Sequence, residues 1–191
     1  MKALKRGDFK IARDHFQIAL NEAKEIGNKD AVGASYNNLA CAYQSFSDFK
    51  KEIECYQLAL RIAKDIRNKD REATIYNNLG GAYQSLSDFK KAVEFHQLAL
   101  RITKNTGNKD LKATIYTNLG LAYWSLSDFN KAIEFHQLAL RIAKDTGNKN
   151  GEGGIYNNLG SAYQLSLIHI SEPTRRTPIS YAVFCLKKKN I

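Results

Sequence analysis

The chain has 191 residues, of which 43% are apolar and 25% are charged, and its lysines and arginines outnumber its aspartates and glutamates to give a formal charge of +10. Because no apolar run is long enough to cross a bilayer and the amino-terminal residues MKALKRGDFK lack a secretory signal, we expect a cytoplasmic protein without membrane insertion. Cys41, Cys55 and Cys185 are odd in number and lack metal-ligand spacing, so free thiols in a reducing compartment are expected.

One block of sequence recurs along the chain at a spacing of 40 residues. The positions in register include Tyr36, Tyr76, Tyr116 and Tyr156, then Leu39, Leu79, Leu119 and Leu159, and finally Asp8, Asp48, Asp88 and Asp128. A fixed period of this length predicts an array of small stacked units, each of which contacts only its neighbours.

The period divides the chain into units that begin and end inside a repeat. We expect the second helix of a truncated unit at 1–29, full units at 30–69, 70–109 and 110–149, and the first helix of a further truncated unit at 150–164. The last helix would lack its partner, which should leave Ile155, Tyr156, Leu159 and Tyr163 partly uncovered and allow non-specific self-association.

Each unit is predicted to contain two helices. In the third copy the apolar residues of the first helix form one stripe, and Asp30, Asp70, Asp110 and Asn150 are the expected N-cap residues of these helices. Ser87 or Asp88 can cap the second helix, which has two apolar stripes and should therefore be covered on both sides.

Glycines are predicted to end the second helices, except in one unit. Gly27, Gly107 and Gly147 stand where a left-handed residue closes a helix. Arg67 takes that position in the unit 30–69, so we expect Asn68 to adopt the special conformation there.

The unit 30–69 departs from the repeat at two further positions. Ala40 stands where Gly80 stands in the next unit, and Glu52 stands where the repeat has a small alanine. We expect a looser helix pair here, with Glu52 directed to solvent, because an unpaired buried carboxylate is costly.

The unit resembles the tetratricopeptide repeat. The family pattern is matched by Tyr76, Leu79, Gly80, Tyr83, Ala92 and Ala99, with His96 at the later aromatic position. The 40-residue length resembles the long-repeat subtype typified by Pins, by the G-protein-signalling modulators and by large tetratricopeptide scaffolds. The resemblance implies an all-α fold, an α-solenoid of antiparallel helix pairs.

The segment 165–191 does not continue the repeat. It contains both prolines of the chain, and two stretches of it, Leu165 to Arg175 and Ile179 to Leu186, back-translate into sequences that resemble the two ends of a sequencing-library adapter. A natural variable tail would have to produce both matches by chance. We therefore interpret this segment as non-native and irregular, without a function of its own.

No catalytic or metal-binding constellation is visible. His15, His96 and His136 are single helix-face residues without recurring ligands, and Glu94 and Glu134 are interpreted as solvated helix carboxylates. We expect no enzyme activity, no cofactor, no metal and no small-molecule substrate.

The resemblance implies a concave groove lined by the first helices, which would bind a protein or peptide. Carried over by position, the groove residues are Asn37, Asn38, Gln44, Thr74, Asn77, Asn78, Gln84, Thr114, Thr117, Asn118, Leu121, Trp124, Asn157 and Asn158.

Two features of this expected groove have a functional and a structural explanation. The ladder of Asn38, Asn78, Asn118 and Asn158 either grips a peptide backbone or steadies the helices by local hydrogen bonds. Trp124, with its neighbour Leu121, either anchors a partner or packs at a unit boundary.

Charge argues against two classes of partner. The expected groove has no Lys or Arg, so it does not suit an acidic chaperone tail. The recurring basic residues Arg61, Arg101, Arg141, Lys64, Lys104 and Lys144 suit helix carboxyl ends, and acidic residues interrupt them, so nucleic-acid binding is not expected. The sequence therefore predicts a protein-interaction scaffold; the alternative is a regulatory or autoinhibitory array of a larger signalling protein, and nucleic-acid binding through the basic helix ends is the less favoured alternative.

Overall fold

The computed structural model describes residues 6–167. Cys185 and residues 168–191 of the adapter-like segment lie outside the described residues, as do the first five residues.

The described chain is all α-helical. Its helices are α1 (Arg6–Glu25), α2 (Lys29–Ser45), α3 (Phe49–Asp65), α4 (Lys69–Ser85), α5 (Phe89–Thr106), α6 (Lys109–Ser125), α7 (Phe129–Asp145) and α8 (149–167). Within residues 6–167 no helix is both apolar enough and long enough to cross a membrane.

Successive helices pack against each other and build an α-solenoid. From α1 to α7 each helix contacts the next one in the chain, and α4 also contacts α6, so the first helices of neighbouring units lie side by side. The core between them includes Leu39, Leu79 and Leu119, each at most 2% exposed. The predicted fold class is confirmed.

The first helices are capped by an asparagine rather than by the predicted aspartate. The side chains of Asn28, Asn68 and Asn108 accept a hydrogen bond from the backbone N–H three residues later, and Asn148 does the same for α8. The expectation for Asp30 and its equivalents was wrong by two residues. Those residues follow the cap by two positions, and in α2, α4 and α6 they lie in the first helical turn, where a carboxylate still favours the positive end of the helix dipole.

The N-cap aspartate of each second helix from α3 onward forms an ion pair with the lysine three residues later. Asp88 accepts a hydrogen bond from the backbone N–H of Lys91 and pairs with its ammonium at 3.1 Å, while that ammonium lies over the ring of Tyr83. The same arrangement recurs in the units before and after. The predicted aspartate cap is confirmed.

The residues that end the second helices agree with the prediction except in one unit. Gly27, Gly107 and Gly147 have φ near +70°, as predicted. In the unit 30–69, however, Arg67 itself has φ 57°, whereas Asn68 has φ −82° and caps α4. Asn68 cannot take the left-handed conformation because its side chain must accept the Arg71 N–H.

Gly80 permits the closest approach between the two helices of its unit. A Cβ atom built on Gly80 would lie 2.5 Å from the imidazole of His96, and Gly120 has the same relation to His136 at 2.4 Å. In the unit 30–69 the equivalent positions are Ala40 and Tyr56, and both are buried. The histidine ring therefore fills the space that the missing side chain leaves.

Glu52 contradicts the sequence prediction. Its side chain is fully buried, and neither carboxylate oxygen has a hydrogen-bond partner. The residue lies on the face of α3 that other units fill with alanine, so helix periodicity directs it into the core. Burial raises the pKa of the Glu52 carboxyl to about 7. The looser helix pair expected around it stays a prediction.

Helix α8 also differs in part from its predicted form. It begins at residue 149 and includes residues 165–167, which were expected to be irregular. Ile155 and Leu159 are buried, contrary to expectation, because they face α6 and α7, whereas Tyr156 and Tyr163 are nearly half exposed, as predicted.

Replacement of Gly80 by alanine should destabilise the array by about 1–3 kcal/mol, because the new methyl group overlaps the His96 ring. Gly81→Ala is the matched control, since a Cβ atom there meets nothing within 4 Å and alanine favours the helix. Denaturant unfolding measures both. Equal stability of the two variants would contradict the assigned helix contact.

Glu52→Ala should stabilise the protein at pH 8 by up to about 3 kcal/mol, from the shift of the carboxyl pKa between 4.5 and about 7. Because the folded pKa is raised, the native state binds the proton more tightly than the unfolded state does. The cost of burying Glu52 is thus absent below pH 4.5 and grows until about pH 7.

Denaturant unfolding from pH 4.5 to pH 8 checks this profile. Glu54→Ala, at an exposed position of the same helix, is the control and should leave the pH dependence unchanged. A Glu52→Ala gain that does not vary with pH would show that the carboxyl group is solvated.

Candidate peptide-binding face

The predicted groove residues lie on α2, α4, α6 and α8, and the surface they form is called the first-helix face. Asn37, Asn38 and Gln44 lie on α2; Thr74, Asn77, Asn78 and Gln84 on α4; Thr114, Thr117, Asn118, Leu121 and Trp124 on α6; Asn157 and Asn158 on α8.

Asparagine side chains connect neighbouring first helices. The Asn78 Nδ2 donates to Asn37 Oδ1 at 3.1 Å, and one unit later the Asn118 Nδ2 donates to Asn77 Oδ1 at 3.1 Å. For Asn78 and Asn118, local hydrogen bonding between helices is therefore observed. These two amides hold adjacent units in register.

A buried histidine completes the second of these connections. The Nδ1 of His96 lies 3.0 Å from Asn77 Oδ1, so the same oxygen receives the Asn118 amide and the imidazole N–H. Burial lowers the pKa of His96 to about 4, so the ring stays neutral at physiological pH. Asn77 thereby links three helices: α4, α5 and α6.

The corresponding connection is missing between α6 and α8. Thr117 occupies the position of Asn77, and its hydroxyl donates to the Ala113 carbonyl of its own helix. The Nδ1 of the buried His136 has no partner, and among the described residues the Asn158 side chain makes no hydrogen bond. The third unit therefore leaves two polar groups without the acceptor that serves their equivalents.

The remaining polar residues of the first-helix face differ in whether their side chains already make hydrogen bonds. Thr74 and Thr114 donate to carbonyls one turn back in their own helices, whereas Gln84 reaches across to the Asn118 carbonyl at 3.3 Å. Asn38 and Gln44 are exposed. The face is thus partly occupied by its own contacts in α4 and open at α2 and α8.

Two cavities lie along the junction of α6 and α8. The larger, 430 Å³, includes Thr114 and Thr117, and the smaller, 200 Å³, includes Leu121 and Trp124; Asn158 lines both. Trp124 is 40% exposed and Leu121 is 37% exposed. Trp124 thus lies at the unit boundary and still presents apolar surface, and its role as an anchor for a partner stays a prediction.

A tetratricopeptide repeat family model matches residues 3–65 and 71–145. The chain belongs to the tetratricopeptide repeat family. Arrays of this family are interaction modules for other proteins, and this chain is such a repeat scaffold. No curated protein matches the chain closely enough to be counted as a relative.

Solved structures show the same tetratricopeptide architecture. BtubC (BKLC) from P. vanneervenii is similar with a TM-score of 0.77 at 28% identity, over 85% of this chain and 68% of that chain. Aspartyl phosphate phosphatase F from Bacillus subtilis gives 0.75 at 14% identity, over 96% of this chain and 50% of that chain. A STAND protein with a tetratricopeptide repeat sensor from Pyrococcus horikoshii gives 0.68 at 23% identity, over 98% and 30%. The last two show the fold alone.

The basic residues of this tetratricopeptide array contribute to its internal contacts. Lys64 lies over the Tyr76 ring at 5.4 Å, and Lys144 lies over the Tyr156 ring at 5.6 Å, so each lysine contacts the following unit. Such cation–π contacts stabilise by about 0.5–1 kcal/mol at exposed sites. Lys64 and Lys144 therefore have a structural role, whereas the equivalent ring of Tyr116 lies under Lys112 rather than Lys104.

The described residues of the array contain no candidate metal-binding cluster. No group of three or more His, Cys, Asp or Glu residues within 6–167 could hold a metal ion. His96 and His136 are buried in the core, whereas His15, Glu94 and Glu134 are exposed. Cys41 and Cys55 are free thiols.

The sequence interpretation missed some residues of the face. The larger cavity is also lined by Asn148, Gly151 and Gly154 at the start of α8 and by Thr146, which precedes it. The two glycines offered a signal, because they stand where the third unit has Leu111 and Thr114. At these two positions the α6–α8 junction lacks the side chains that the third unit has.

Asn77→Thr in the second unit reproduces the arrangement of the third unit. It should cost about 1–3 kcal/mol, because the His96 Nδ1 and the Asn118 amide both lose their acceptor. Asn38→Thr, at an exposed position, should change the unfolding free energy by less than about 0.5 kcal/mol. Urea unfolding distinguishes the two, and an unaffected Asn77→Thr variant would show that the connection carries no stability.

Proposed function

We propose that this tetratricopeptide array captures an extended segment of a partner protein along the first-helix face. The observation that carries the proposal is the α6–α8 junction, where two adjoining cavities meet at Asn158 beside the exposed side chains of Leu121 and Trp124. A preformed groove with a large aromatic at its centre suits binding of a peptide.

The polar groups of the junction support an extended ligand. Backbone amides and carbonyls of an unpaired peptide need partners, and the Asn158 amide offers one donor group and one acceptor. The exposed Asn38 and Gln44 offer the same groups on α2. The face therefore provides polar contacts at both ends of its described length.

The charge of the residues that line the two cavities limits which partner segments suit them. Of the described residues that line the two α6–α8 cavities, Asp110 is the one that is charged. A neutral or basic segment therefore suits the junction, whereas a segment that ends in several carboxylates would be buried without a cation.

A second proposal is that the array regulates an attached domain of a larger protein. The likeness to a STAND protein whose printed description includes a tetratricopeptide repeat sensor agrees with this role, although this chain spans 30% of that protein. The complete reading frame of the parent gene would distinguish the two. A signalling or nucleotide-binding domain in that frame would favour regulation.

The scaffold proposal is tested by selecting displayed random peptides against the whole chain. Peptides that bind should lose about 30-fold in affinity against Trp124→Ala, as expected when a residue that carries about 2 kcal/mol of binding is removed. Calorimetry or fluorescence anisotropy measures the loss. Helicity by circular dichroism should not change, because Trp124 is 40% exposed.

Leu86→Ala is the matched control for this test. Leu86 is 46% exposed but caps the end of α4, outside the first-helix face. Peptides that bind the parent chain, Trp124→Ala and Leu86→Ala equally would place the partner elsewhere. Steep salt dependence of binding to random nucleic acid would instead favour a nucleic-acid ligand.

A further inference from the structure

The smaller cavity at the α6–α8 junction has a volume of 200 Å³. It is lined by Leu121 and Trp124 of α6, His136 of α7, and Asn158 and Ser161 of α8. A comparison with the α4–α6 junction, one unit earlier, shows which side chains differ around it.

Four substitutions around the cavity distinguish the two junctions. In the order of the chain, Asn77 becomes Thr117, Gly81 becomes Leu121, Gln84 becomes Trp124, and Leu121 becomes Ser161. The first and third remove carboxamide groups from the site, the second adds an isobutyl group, and the fourth replaces an isobutyl group by a hydroxymethyl group.

The two lost carboxamides are engaged at the earlier junction. The Asn77 Oδ1 accepts from the His96 imidazole and from the Asn118 amide, and the Gln84 Nε2 donates to the Asn118 carbonyl. The His96 Nδ1 and the Asn118 amide are therefore satisfied by a side chain of the protein itself, whereas the His96 Nε2 has no partner among the described residues.

At the α6–α8 junction the equivalent groups remain but their partners are gone. His136 is 99% buried, and its Nδ1 has no hydrogen-bond partner within residues 6–167. The Asn158 amide makes no hydrogen bond within the described chain, and the Ser161 hydroxyl is directed to the Asn157 carbonyl. A buried polar group without a partner is costly, so an occupant that supplies one is stabilised.

The lining also restricts the chemistry of the occupant. Leu121 and Trp124 form an apolar wall, which suits a short aliphatic stem. Among the described residues no cation lines the cavity, so a carboxylate would be desolvated without compensation. Burial lowers the pKa of His136, which keeps the ring neutral and able to donate through one nitrogen and accept through the other.

We propose that this cavity is an anchor site for a carboxamide side chain, a glutamine or an asparagine, of the partner peptide. Its amide replaces the groups that Asn77 and Gln84 supply one unit earlier and bonds with His136 and Asn158, while its methylene stem packs on Trp124. This assignment rests on the proposed peptide capture and adds to it a specificity for one residue class.

The test uses blocked single amino acids and the whole chain. Trp124 is the only tryptophan of the protein, so its indole N–H signal in NMR reports on the cavity without ambiguity. N-acetyl-glutamine methylamide should shift that signal saturably, with a dissociation constant on the order of 1 mM for a ligand of this size. The blocked glutamate and methionine analogues should bind at least about tenfold more weakly.

Two variants introduce the residue that the chain has at the equivalent position one unit earlier. Ser161→Leu refills the cavity as Leu121 does, and it should abolish the shift. Thr117→Asn restores the acceptor for His136 and Asn158, so it should weaken glutamine binding about tenfold while raising the melting temperature by about 2–4 °C. A residue with a purely structural role would not couple a gain in stability to a loss of binding.

The outcomes separate this site from the scaffold proposal. Equal shifts with blocked glutamine and methionine, or an unchanged titration in Ser161→Leu, would overturn the carboxamide site. Selected peptides that depend on Trp124 but show no glutamine or asparagine preference would also overturn it, while peptide capture would stand. Specific glutamine binding without any selected peptide would support the site and contradict capture of extended segments.

Discussion

The close contact between a glycine and a buried histidine governs the geometry of each full unit after the first. Gly80 lets the His96 ring lie against the backbone of α4, and the ring then directs its Nδ1 toward Asn77. One steric constraint thus sets both the distance between the two helices of a unit and the position of a polar group that reaches the next unit. The packing within a unit and the register between units are connected through Asn77. Its Oδ1 accepts hydrogen bonds both from His96 of the same unit and from Asn118 of the next unit.

A nearly identical repeat makes single substitutions informative, because the surrounding backbone is the same in each copy. Thr117 in place of Asn77 removes one amide, and the consequence is visible at once in the unpartnered Nδ1 of His136. Glu52 in place of alanine places a carboxyl group in the core and raises its pKa to about 7. We expect both changes to weaken the repeat as a structural unit. The first lies on the surface that we propose to bind a partner, whereas the second lies between the helices of its own unit.

Much of this fold can be predicted from the repeated sequence. The period of 40 and the apolar stripes predicted the helix pairs, their order and the buried Leu79 and Leu119, because the spacing of apolar residues on a helix determines which face is buried. Local signals were less reliable at the helix boundaries. Asn68, rather than Asp70, caps α4, since the two are only two residues apart and both side chains can accept a backbone hydrogen bond.

What the sequence determined by itself is the identity of the unit and the number of times it recurs. Only the tertiary structure decided which groups of the first-helix face are already used, because a hydrogen bond between Asn78 and Asn37 joins residues 41 positions apart and depends on the rotation of one unit on the next. It also decided the burial of Glu52. Sequence chemistry favours a solvated carboxylate, but the helix that carries Glu52 is held by all its other contacts and leaves the side chain no route to water.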